Sequence, residues 1–309
     1  MSERWLGNHA IHMALLEQAR DREVQIVQFA QTGRKPFWVR RIHLNSSRSV
    51  DYWFKSMHWP YEAVGMFIGT NRVDWTKIDE LPPSLRSKGM TRKAYKEIWD
   101  DYLTPEGCEK RGLNWSEIWY GKSLLFDFDD ANEPMKAFDK AEKTAKFLVD
   151  NFDVKPRMIF SGSKGFHIHL DLEDSYKCGG KKPVDFIDQK DPLLKLGRHN
   201  GSLVQEIASA ACGERYPIAD RSSNFRQGVV RCPYSIHPKT GQVVWPLDSR
   251  DLAKIRNLPA EAGIYDIAQA IHTWDVPVQS HIPDVEHTHI HPENSVFQRG
   301  LPAWTSPNA

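Results

Sequence analysis

Over residues 123–129 apolar and acidic side chains alternate. Leu124, Phe126 and Phe128 fall on one side of an extended segment, with Leu125, Asp127 and Asp129 on the other. The alternation predicts a β-strand. A helix is predicted from Pro134 onward, because Met135, Phe138, Ala141, Ala145, Leu148 and Phe152 recur as one stripe and proline suits a first helical turn. Arg157 to Phe160 then reads as a second strand, running into the small-residue turn Ser161-Gly162-Ser163-Lys164-Gly165. A third strand leaves that turn, with Phe166, Ile168, Leu170 and Leu172 alternating against His167, His169 and Asp171. Two strands about a glycine-rich turn predict a hairpin.

The flanking segments add structure with weaker periodicity. Residues 8–20 predict a helix with Ile11, Leu15 and Leu16 on a common side, and Trp38 to Leu44 predicts a strand carrying Arg40, Arg41 and His43. A short strand is expected over Val64 to Ile68, and a helix over Thr91 to Leu103. Downstream come a basic turn at residues 177–183 containing Lys181 and Lys182, and a helix including Leu203, Ile207, Ala210 and Ala211. Strands follow over Gly228 to Cys232 and Val243 to Leu247. Residues 1–275 therefore read as one catalytic-sized domain. From 276 to 309 five prolines and four histidines replace any period, which predicts an extended or partly disordered tail.

Composition narrows the class without naming a partner. The 309 residues are 40% hydrophobic and 26% charged, a balance that excludes wholesale disorder. A net charge of +1 announces no nucleic acid, although a basic groove and an acidic metal centre cancel in such a sum. Cys108, Cys178, Cys212 and Cys232 form no CxxC pair, so neither a disulfide scaffold nor a four-cysteine zinc site is expected. No apolar run approaches the length of a membrane span, and no leader is evident; the expected setting is cytoplasmic if the source is prokaryotic or archaeal.

Three clusters carry chemistry. Asp127 and Asp129 share a strand face, so both carboxylates can converge on a hard divalent cation, Mg2+ or Mn2+. The competing reading is two polar residues on the wet side of a strand. In Ser161 to Gly165 the glycines let backbone amides approach an anion, while Lys164 adds charge and His167 a ring donor. His167, His169 and Asp171 also share a side, which leaves a second metal site open. The third cluster, RCPYSIHPKTG at 231–241, gathers Arg231, Ser235, His237 and Lys239 around turn residues and is suited to phosphate oxygens; the alternative is a solvated basic loop.

Together, LLFDFDD, SGSKGFHIH and RCPYSIHPKTG resemble the three catalytic motifs of the archaeo-eukaryotic primase superfamily, and most of all the small catalytic subunit of DNA primase. The resemblance is strong over 120–248 and weaker back to about residue 37, where Arg41, Ile42 and His43 resemble a strand of basic and histidine residues. It implies an α+β fold: the archaeo-eukaryotic primase catalytic fold, with an RRM-like antiparallel sheet and additional N-terminal α/β elements. Asp127, Asp129 and Asp220 are then implied as catalytic metal ligands. Ser161, Lys164, His167, Arg231, Ser235, His237 and Lys239 are implied nucleotide-binding residues. Arg40, Arg41, His43, Lys181 and Lys182 are expected to meet nucleic-acid backbone.

The implied activity is template-directed synthesis or extension on single-stranded DNA from NTPs or dNTPs by a two-metal mechanism. A primase large subunit, a helicase or another replication protein is the implied partner, and no membrane is. Lys164 stands where an arginine is usual in the family, and the clustered cysteines of the family's zinc knob are missing from the pattern. Two other classes fit the same residues: a metal-dependent nuclease or phosphohydrolase, and a non-catalytic single-stranded nucleic-acid binding protein.

Overall fold

The computed structural model describes residues 8–28, 37–42, 44, 50, 64–74, 105–110, 112, 119–152, 154–171, 198–220, 224, 228–237 and 239–271. Two compact units divide the chain, Met1–Arg72 with Gly121–Glu286, and Val73–Tyr120 with His287–Ala309. In chain order the elements are α1 (His9–Ala19), β1 (Val24–Gln28), β2 (Phe37–Ile42), β3 (Val64–Gly69), β4 (Asn71–Val73), α2 (Pro105–Lys110), β5 (Trp119–Asp129) and α3 (Pro134–Phe152). They continue with β6 (Arg157–Phe160), β7 (Gly165–Asp171), α4 (Arg198–Cys212), β8 (Val229–Arg231), β9 (Trp245–Pro246), α5 (Ser249–Arg256) and α6 (Ile264–Ile271).

The class is α+β, with two sheets ordered β2-β1-β3-β8 and β4-β5-β7-β6-β9. β7 runs antiparallel to both β5 and β6, and α3 connects those two strands, giving a split β-α-β unit with the hairpin strand between them. The expected hairpin is therefore present, and so is the central part of an RRM-like sheet. Five elements have no counterpart in the sequence reading: β1, β4, α2, α5 and α6. The helix expected over 91–103, the basic turn at 177–183 and the tail lie outside the described residues.

α3 starts where the sequence punctuates it. The Asp130 carboxylate accepts hydrogen bonds from the backbone amides of Asn132 (3.0 Å) and Glu133 (2.9 Å), turning the chain into Pro134. Phe138, Ala141, Leu148 and Phe152 of its stripe are buried, as is Ala137 beside them, while Met135 and Ala145 are partly so. They cover the sheet face formed by Phe126, Phe128, Phe160 and Phe166, with Phe138 edge-on to Phe166 at 5.2 Å. Each buried phenylalanine contributes about 1.5–3 kcal/mol by area alone. With that face committed to the core, the carboxylates of Asp127 and Asp129 are left on the other.

A buried charge cluster ties the sheets together at the far end of β5 and β7. The Asp171 carboxylate accepts from Arg22 Nη2 (2.8 Å), Arg157 Nη2 (3.0 Å), Arg72 Nη2 (3.3 Å) and the Ser123 hydroxyl. Arg22, just before β1, also donates to the Gly69 carbonyl at the end of β3 (3.0 Å). Burial alone would raise Asp171, but Arg22 and Arg157 hold it well below the usual carboxylate range. Asp171→Asn keeps the shape and leaves three guanidiniums facing a neutral amide. It is expected to cost about 3–5 kcal/mol in urea denaturation at neutral pH.

Candidate active site

Antiparallel register sets Asp127 opposite His167 and Asp129 opposite Gly165. Residues paired across an antiparallel ladder point to the same face, so both carboxylates and the imidazole project together. Ligand atoms of Asp127, Asp129 and His167 all lie within 4.8 Å of one another, the only such His/Cys/Asp/Glu group among the described residues. His167 Nε2 stands 3.4 Å from Asp127 Oδ1, and Lys164 Nζ stands 3.9 Å from Asp129 Oδ2. His169, stacked behind His167 at 6.2 Å, and Asp171 fall outside this group; Asp171 is spent on the arginines.

Gly165 makes the approach of the two strands feasible. A Cβ there would sit 1.9 Å from the Phe128 carbonyl oxygen, so no other residue fits without separating β5 from β7. Before it, the Ser161 hydroxyl accepts from the amides of Gly165 (3.2 Å) and Ser163 (3.3 Å) and shapes the turn. Gly162, at φ +78°, faces the third cluster closely: a Cβ would lie 3.0 Å from His237 Cβ and 3.2 Å from the Gln242 carbonyl. The Thr240 hydroxyl donates to the Gly162 carbonyl, locking the two turns edge to edge.

The third cluster is itself a tight hairpin. Tyr234 N donates to Val244 O (2.7 Å), Val244 N to Ser235 O (2.8 Å) and His237 N to Gln242 O (2.7 Å). The Ser235 hydroxyl is buried and turned inward, within reach of the carbonyls of Cys232 (2.6 Å) and Met66 (3.3 Å). His237 Nδ1 accepts from the Lys239 amide (3.3 Å), which leaves its proton on Nε2. Lys239 itself is exposed. Arg231 lies over the Phe67 ring at 4.9 Å and close enough to Asp129 and Asp127 for both to raise its pKa, although burial brings it down to about 10.

Asp220 reaches the site along the edge of β5. The Ala219 amide donates to the Asp127 carbonyl (2.8 Å), so Asp220 follows directly beside the pocket, exposed and outside the three-residue group. Asn224 continues this edge. Its buried amide accepts from Leu125 N (2.8 Å) and donates to Leu125 O (2.6 Å), as a paired strand would. Sequence reasoning missed Asn224, because no periodicity marks a side chain that substitutes for a backbone. Arg40 and Arg41 lie on β2, with only their backbone described; His43, Lys181 and Lys182 lie outside the described residues.

Electrostatically the pocket is under tension. Burial, then the charge of Asp220, raises Asp127 to about 7 against the pull of Lys164 and Arg231. Burial and Asp127 likewise raise Asp129. Burial lowers His167 to about 4 despite Asp129, and lowers His237 to about 3, so both rings are neutral near pH 7. Asp127 Oδ1 and His167 Nδ1 are buried without a hydrogen-bond partner. Two hard oxygens, a neutral imidazole and an orphaned carboxylate atom fit a divalent cation, which would offset both the repulsion and the desolvation.

Comparison with known proteins adds relatives to this geometry. No protein-family model matches the chain. The DNA primase small subunit PriS of Pyrobaculum aerophilum is 27% identical over 184 residues, covering 48% of this chain and 57% of that protein. PriS of Pyrobaculum arsenaticum is 29% identical over 215 residues, covering 58% and 67%. That of Thermoplasma volcanium is 23% identical over 185 residues, covering 43% and 54%. The relatives are primases. The chain spans between half and about two thirds of the length of these three. Among solved structures, the polymerase domain of Mycobacterium tuberculosis ligase D in complex with DNA aligns over 90% of both chains, with a TM-score of 0.47 and 13% identity. The sequence matches support the archaeo-eukaryotic primase superfamily at large rather than one particular subunit.

Cation binding requires the carboxylate form of Asp127. Since Asp127 holds its proton to about pH 7 without a cation, Mn2+ affinity is expected to fall about tenfold per pH unit below that point and to level off above it. Titration calorimetry from pH 5 to 8 measures the slope. In the same metal-free protein, stability from the raised Asp127 is fully present below its ordinary 3.8 and is lost as pH rises through about 7. Asp127→Asn is therefore expected to raise the metal-free Tm at pH 8 by several degrees, a gap that narrows as pH falls through 5 and closes only below the ordinary 3.8.

Proposed function

We propose that this chain is a template-directed nucleotidyltransferase, a primase-polymerase that makes primers or extends strands on single-stranded DNA from NTPs or dNTPs. The observation that carries the reading is the pocket itself. Asp127, Asp129 and His167 converge within 4.8 Å, with the Lys164 ammonium beside it and Arg231 coupled to both carboxylates. A nuclease shares the carboxylates; the similarity to DNA primase small subunits favours synthesis.

In this reading Asp127 and Asp129 hold Mg2+ or Mn2+, with Asp220 completing the ligand set from the loop beside β5. Bound there, the cations supply charge neutralisation at the attacking hydroxyl and at the triphosphate. Arg231 and Lys164 neutralise and orient the phosphates, Arg231 by its planar fork and Lys164 as a mobile point charge. Neutral His237, with its proton on Nε2, donates to a phosphate oxygen, and His167 orients the same group from the opposite strand. Ser161 and Ser235 act by shaping the two turns, which is where their hydroxyls point. Lys239, Arg40, Arg41, His43, Lys181 and Lys182 provide charge for nucleic-acid backbone. Residues 1–275 form the catalytic domain, and a large subunit or helicase is the partner of this activity.

The test is incorporation. Purified chain with primed and unprimed single-stranded templates, labelled nucleotides and Mg2+ or Mn2+ is expected to yield products longer than the input. Asp127→Ala and Asp129→Ala, folded by circular dichroism, are expected to lower the yield at least about a hundredfold. Shortened strands would instead indicate a nuclease. Template binding without any product under either metal would indicate a binding protein.

A further inference from the structure

Between α4 and Asp220 the chain makes a strained turn that the interior does not require. Gly213 N closes the helix on Ser209 O (2.9 Å), and Glu214 is held to α3 by Lys140 Nζ (2.8 Å). On the other side Pro217 and Ile218 are buried, and the Ala219 amide bonds to Asp127 O (2.8 Å). Between these anchors Tyr216 sits at φ +67°. That region is unfavourable for any bulky L-residue, and a following proline disfavours most conformations other than extended ones. The tyrosine gains nothing from burial, because it is 63% exposed. Glycine or asparagine would take the turn at less cost.

What the strain provides is presentation. The Tyr216 ring stands in solvent, and the Arg215 guanidinium lies over it, 5.2 Å from the centroid. Four residues of chain separate it from Asp220, a span of about 14 Å at most. That is roughly four base steps at 3.4 Å each from the metal pocket. A flat aromatic face beside a permanent cation, anchored at both ends, fits a base with its phosphate and fits no interior role.

We infer that Arg215 and Tyr216 form a stacking platform for an unpaired base of the single-stranded nucleic acid, next to the metal pocket. This rests on the nucleic-acid reading proposed above. The ring stacks on the base through its open face, and the guanidinium neutralises the adjoining phosphate. Because every base has a π-face, the platform binds without sequence preference and holds the strand in register with Asp220.

The experiment is equilibrium anisotropy with a fluorescent oligothymidylate in EDTA, with primer extension in Mn2+ run in parallel. Tyr216→Gly accepts the positive φ, so it is expected to keep or raise Tm while weakening oligonucleotide binding about tenfold, within the range of one lost base stack. Tyr216→Phe and Tyr216→Trp are expected to bind like the parent. Wild-type affinity in Tyr216→Gly overturns the platform, as does an equal loss in Tyr216→Phe, which would assign the effect to the hydroxyl. No binding by the parent overturns it too. The polymerase reading fails separately: a parent that binds through Tyr216 yet extends nothing contradicts synthesis and leaves the platform standing.

Discussion

The register of β5 against β7 is the constraint on which the site depends. Side chains in a strand alternate with a strict period of two, so a slip of one residue would send Asp127 and Asp129 into the phenylalanine core. Three features fix that register. Phe126, Phe128 and Phe166 gain their burial under α3 only in this alignment. Gly165 allows the strands to meet where a Cβ would strike the Phe128 carbonyl at 1.9 Å. Asp171, opposite Ser123, bonds arginines from outside the pair. The convergence of two carboxylates and an imidazole follows from these.

One sheet face thus carries two electrostatic extremes. Four residues, about 13 Å, separate the Asp127–His167 pair from the Ser123–Asp171 pair. At the second pair a single carboxylate is surrounded by guanidiniums and stays ionised. At the first, carboxylates oppose one another under burial and Asp127 holds its proton to about pH 7. The Ser123–Asp171 arrangement is satisfied within the chain. At the Asp127–His167 pair the chain's own cations, Arg231 and the exposed Lys164 at 3.9 Å from Asp129, do not offset burial and the charge of Asp220, and Asp127 stays raised.

The parts of this architecture with long periods were legible in the sequence. β5, the amphipathic α3 and the β6–β7 hairpin each span enough residues for their alternation or stripe to be read, and the DxD face assignment follows from the same alternation. α5 and α6, at eight residues each, are shorter than the window in which a helical period becomes visible. β1 alternates no polar face, since Gln25 is buried with Val24 and Ile26. At the site, the pairing of Asp127 with His167 depends on strand register, which a hairpin pattern leaves free within a residue or two. The interlock of Gly162 with His237 and the Asn224 clasp on Leu125 join positions about 75 to 100 residues apart in the chain, where local pattern carries no information.

A divalent cation between Asp127 and Asp129 is the central claim, and anomalous diffraction from Mn2+-soaked crystals tests it most directly. The account expects a peak bounded by those two carboxylates and His167, lost in Asp127→Asn crystals treated in the same way. A well-ordered pocket with no peak there, or a peak confined to the histidines of residues 281–291, would contradict it.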